Sequence, residues 1–88
     1  MKAKDGFILK EVGTDWVLVP VGQRVVQFNK MMVLTHTGAL IYKMIQNGKT
    51  IDQIVQNLVN EYKIDIEIAI KDVDIFIQEL LEYNLIEE

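Results

Sequence analysis

The 88 residues contain no cysteine, one proline, one histidine and no long apolar run. Without cysteine the chain can form neither a disulfide nor a thiolate metal site, which suits a reducing compartment. The lone histidine, His36, has no second imidazole or thiolate with which to complete a usual metal set, and it reads as an exposed, incidental side chain. Nothing approaches the ~18 apolar residues of a membrane helix. The N-terminal MKAKDGFILK holds only three consecutive apolar residues before Lys10, too few for a secretory core. The expectation is a cytoplasmic protein that does not associate with membranes. Neither Gly-x-Gly-x-x-Gly nor a Walker pattern occurs, so no phosphate-cradling loop is offered.

Half of the residues are apolar. That is enough for a single domain, 1–88, to bury roughly 60–65% of its unfolded surface without a metal or disulfide. No low-complexity linker or internal repeat divides it. The net charge of −4 hides an asymmetry: residues 1–50 carry seven basic and three acidic side chains, whereas residues 51–88 carry two basic and ten acidic. The second half is therefore unsuited to a phosphate backbone and suited to a neutral or basic partner.

The first third has strand character. Phe7 to Val12 and Trp16 to Val19 are β-branched and aromatic runs joined by Gly13-Thr14-Asp15, which predicts a hairpin. Pro20 and Gly22 end the second strand, and Arg24 to Phe28 reads as a third, closing at Asn29-Lys30. That third strand lacks proline and would leave an undefended edge. Met31 to Leu34 bridges sheet to helix as packing filler. Thr35 or Thr37 then caps a helix to about Gln46 with Asn47-Gly48 as its stop, and Thr50-Ile51-Asp52-Gln53 is a capping box for a second helix through Tyr62. Asn84 offers a left-handed cap from which Leu85 or Ile86 tucks back. The fold class that follows is α+β, a winged helix-turn-helix-like arrangement of a three-stranded antiparallel sheet followed by three helices.

The third helix, Ile66 to Tyr83 behind Asp65 as N-cap, has more apolar residues than one face can hold. At about 100° per residue, Ile66, Ala69, Ile70, Val73, Phe76, Ile77, Leu80 and Leu81 share a broad inner face. Ile68 and Ile75 lie opposite, about 180–200° away and beside Asp72 and Glu79. Two isoleucines one heptad apart on a side that should be solvated either pack against another part of the chain or await a partner.

Catalysis finds little support. Asp72 and Asp74, two apart, do not face one another, and Glu79 with Glu82 stands on a helix surface, so paired-carboxylate chemistry is not expected. A recognition helix for DNA would carry outward Arg or Lys, but the second and third helices offer amides among carboxylates. What remains is recognition of a peptide or protein through the edge strand and the apolar helix, with a winged-helix DNA-binding regulator as the alternative.

Several pieces also resemble the PqqD family, the coenzyme PQQ synthesis protein D group. They are Gly6-Phe7-Ile8-Leu9, Leu34-Thr35-His36-Thr37-Gly38-Ala39 with Ile41, Gly48-Lys49-Thr50, Ile54, Leu58, Tyr62, Asp72-Val73 with Phe76, and Leu85-Ile86. The likeness spans nearly the whole chain; Thr35 stands where an Asn is expected and Asn84 where a Gly is common. The resemblance implies a non-catalytic peptide chaperone, or RiPP recognition element, without a cofactor. Such a domain binds the leader of a ribosomally made precursor peptide and presents it to a modifying enzyme, often a radical SAM protein, whether the product is PQQ or another compound. It further implies that the leader adds as a strand to the third strand, here the main chain of Val25, Val26, Gln27 and Phe28. The third helix would form the opposing wall, with Ile68, Asp72, Ile75, Phe76 and Glu79. Phe76 has core packing as its alternative, and Ile68 and Ile75 a homodimer contact or contact with the sheet.

Overall fold

A computed structural model describes residues 1–27 and 31–88. In chain order the elements are β1 (Lys2–Ala3), β2 (Phe7–Val12), β3 (Asp15–Pro20), α1 (Arg24–Gln27), β4 (Met32–Leu34), α2 (His36–Gln46), α3 (Ile51–Tyr62), α4 (Ile66–Glu82) and β5 (Ile86–Glu87). By contact they group into two compact units, residues 4–40 and residues 1–3 with 41–88.

In residues 4–40, β2 and β3 form the expected hairpin. Phe7 pairs with Pro20 and Val12 with Asp15 across a two-residue turn, where Gly13 takes a φ of +62° that a side chain would resist. The expected antiparallel sheet of three strands is present in the order β2-β3-β4. Its third strand is not the expected one. Met32–Leu34 pairs with β3, Trp16 opposite Leu34 and Leu18 opposite Met32, whereas Arg24–Gln27 is a single helical turn. Val25, Val26 and Gln27 therefore lie in a helix rather than a strand, and Phe28 lies outside the described residues.

The chain turns here through contacts around Gly6 and Gly22 that link residues far apart in sequence. The Val21 amide donates to the Gly6 carbonyl at 2.8 Å, Gly22 turns with φ +60°, and the Val25 amide then donates to the Gly22 carbonyl at 3.3 Å. Arg24 reaches back to donate from Nε to the Asp5 carbonyl at 2.9 Å, with its guanidinium 5.7 Å from the centre of the Phe7 ring. These contacts curl the chain where a β-branched pair alone would have extended it. On the sheet, alternation puts Phe7, Leu18 and Leu34 on one buried face and leaves Ile8, Val12 and Val33 exposed on the other.

In the other unit the helix ends follow their caps. The α2 helix, which begins in residues 4–40, is capped by Thr35, whose Oγ1 accepts from the Gly38 amide at 3.0 Å. It ends at Gly48, φ +79°, where the Lys49 amide reaches the Met44 carbonyl and the Gly48 amide the Ile45 carbonyl, a Schellman closure. The capping box of α3 is complete, Gln53 amide to Thr50 hydroxyl at 3.1 Å and Thr50 amide to Gln53 Oε1 at 2.9 Å. Asp65 occupies the N-cap of α4 without a side-chain hydrogen bond. Asn84 at φ +64° closes α4 through Leu85 amide to Leu80 carbonyl, and both Leu85 and Ile86 are buried. Ile86 then pairs with Ala3 and Glu87 with Lys2, so β1 and β5 make a small antiparallel sheet that local patterns do not announce. Ile54, Val55 and Leu58 of α3 and Ala69, Val73, Ile77 and Leu80 of α4 are buried.

Candidate functional site

Two surfaces stand out, one in each unit. The first is β4, an edge: among the described residues it pairs with β3 alone. Its other side thus presents main-chain N–H and C=O groups suited to an added strand. Leu34 is buried and Met32 half-buried, while Val33 is 65% exposed and Met31, just before the strand, 66%. The open edge expected at Val25 to Phe28 lies instead at Met32–Leu34. The pattern of that stretch reads as packing filler; its signal for a strand is an apolar run with a β-branched centre directly before the Thr35 cap.

The second surface is the outward side of α4. Ile68 is 50% and Ile75 49% exposed, and Asp72 and Glu79 are exposed as well. The four follow one another at steps of four, three and four residues, which sets them in one line along the helix. Phe76 is half-buried, between that line and the buried side. The expected inner face is narrower than its pattern: Ile66 and Ile70 are exposed, because the buried arc centres on Ala69, Val73, Ile77 and Leu80.

Elsewhere the polar chemistry is sparse. Among the described residues no three His, Cys, Asp or Glu side chains stand close enough to hold a metal ion. His36 is exposed, its ring centre 6.5 Å from that of Trp16. Among the described residues the buried Tyr42 hydroxyl closes no hydrogen bond; loss of water raises its pKa above 10.0, and the approach of Gln46 one turn on opposes this only in part. Among the described residues no helix is long and apolar enough to cross a membrane.

Residues 15–86 match the family model described as coenzyme PQQ synthesis protein D. No curated protein matches the sequence. Two solved structures share the fold. TbiB1 in complex with the TbiA(beta) leader peptide is 24% identical with a TM-score of 0.83, the match covering 99% of this chain and 95% of that one. Lasso peptide synthetase B1 complexed with the leader peptide is 21% identical with a TM-score of 0.77, covering 97% and 93%.

Proposed function

The chain belongs to the PqqD family, and from that premise we propose that it acts as one leader-peptide-binding domain, presenting a ribosomally made precursor to a modifying enzyme of radical SAM or other type. The observation that carries the reading is the open edge of β4, which can take a peptide strand by main-chain hydrogen bonds. Two structures of the same fold, each with a leader peptide bound, support it. Peptide main chain can pair with Met32–Leu34, and Ile68, Asp72, Ile75, Phe76 and Glu79 of α4 offer a surface for peptide side chains. The role is binding and delivery, with the chemistry left to the partner enzyme.

Calorimetric titration with the leader of a precursor encoded beside this gene tests the reading. Saturable binding is expected, and Ile75→Asp should weaken it by ~1–3 kcal/mol, the loss typical of an apolar anchor. Unchanged affinity removes Ile75 from the site. Tight binding to duplex DNA at physiological salt would instead favour a winged-helix regulator and overturn the proposal.

A further inference from the structure

We infer that the segment bound along α4 interleaves lysine or arginine side chains with apolar ones; this rests on the peptide-binding reading and names the class of leader it accepts. The line Ile68, Asp72, Ile75, Glu79 alternates apolar and acidic, and all four side chains are exposed. With a rise of about 1.5 Å per residue, each carboxylate stands about 4.5–6 Å along the axis from its neighbouring isoleucine. An extended peptide repeats its side chains on one face about every 6.6–6.8 Å. A strand running along this helix therefore meets isoleucine and carboxylate in turn, at neighbouring positions of its own facing side. An apolar side chain opposite Ile68 or Ile75 places the side chain two residues on beside Asp72 or Glu79, where a cation gains a charge-assisted hydrogen bond.

Charge selects further against the opposite pattern. Among the described residues neither Asp72 nor Glu79 forms an ion pair or side-chain hydrogen bond. Within α4, Lys71 is the single basic residue against Glu67, Asp72, Asp74, Glu79 and Glu82. An acidic segment would add like charge to this face, where a basic one neutralises it.

Selection from a display library of random 15-residue peptides, run in parallel on the full chain and on its Asp72→Lys/Glu79→Lys variant, tests the inference. Both positions are exposed, so the variant should fold; its circular dichroism and melting point check this, and an Asp72→Asn/Glu79→Asn variant serves if it does not. The wild-type pool should be enriched in Lys or Arg two residues from an apolar side chain. The lysine variant should select Asp or Glu at those places, the asparagine variant should lose the preference, and a wild-type-selected peptide should bind the lysine variant about tenfold or more weakly. Enriched peptides without a basic preference, or the same pool from all proteins, would overturn the inference while leaving peptide binding intact. Failure of every protein to enrich any peptide would sink the peptide-binding reading and the inference with it.

Discussion

Tyr42 carries a hydroxyl into a fully buried position where, among the described residues, it completes no hydrogen bond, although Gln46 approaches it. Leaving such a group unsatisfied costs about 1–3 kcal/mol. Tyr42→Phe should therefore leave stability unchanged or raise it by about 1 kcal/mol in urea unfolding, and a clear loss would reveal a partner for the hydroxyl. The raised pKa has a consequence for pH. Above about pH 10 the unfolded chain loses a proton that the folded chain keeps, so stability falls as pH rises beyond that point. The phenylalanine variant should show a shallower alkaline loss in the same assay. Gly6 gives a second test. It combines φ +90° with a position where a Cβ would collide with Cγ of Arg24, while Gly22 at φ +60° faces open space. Gly22→Ala should cost about 1 kcal/mol through its backbone alone, and Gly6→Ala should exceed that by about 1 kcal/mol or more because Arg24 must also move. Equal melting-point losses for the two would show that the Arg24 contact does not hold the turn.

At the level of elements, what was legible depended on the range of the signal. The hairpin turn at Gly13, the Thr50-Gln53 box, Gly48 and Asn84 are each decided within a few residues, and each does what its neighbours in the sequence dictate. The third strand was decided at long range. Val25-Val26 and Met32-Val33-Leu34 have comparable local propensity, and the contacts of Arg24 with Asp5 and Phe7, far back in the chain, settle which one curls. Ile66 and Ile70 were misplaced for a related reason: periodicity defines an arc, but only the packed neighbours set how much of the arc is covered. On α4 the surplus apolar residues Ile68 and Ile75, beside Asp72 and Glu79, are readable in the sequence, whereas the edge strand lies a few residues beyond where the pattern predicts it. Hydrogen exchange separates the two assignments. With the leader bound, the amides of Met32–Leu34 that face away from β3 should gain protection while that of Val25 should not; protection at Val25 alone would put the pairing at residues 25–28 instead.

For the molecule as a whole, the pairing of β1 with β5 sets Lys2 opposite Glu87 and Ala3 opposite Ile86. Strand neighbours lie about 4.7–4.9 Å apart, so residues 1 and 88 emerge side by side. A linker of a few residues should join them, with new ends opened at the exposed Gly13-Thr14 turn. Such a circular permutant should keep the helical circular dichroism of the parent and melt cooperatively; loss of either would show that the 2–3 and 86–87 pairing needs the natural order of the chain. Adjacent ends have an engineering meaning: the two connections leave from one place, like the prongs of a plug. The chain could then be spliced into a surface loop of an enzyme as one intact insert, and carried from one host protein to another without being taken apart.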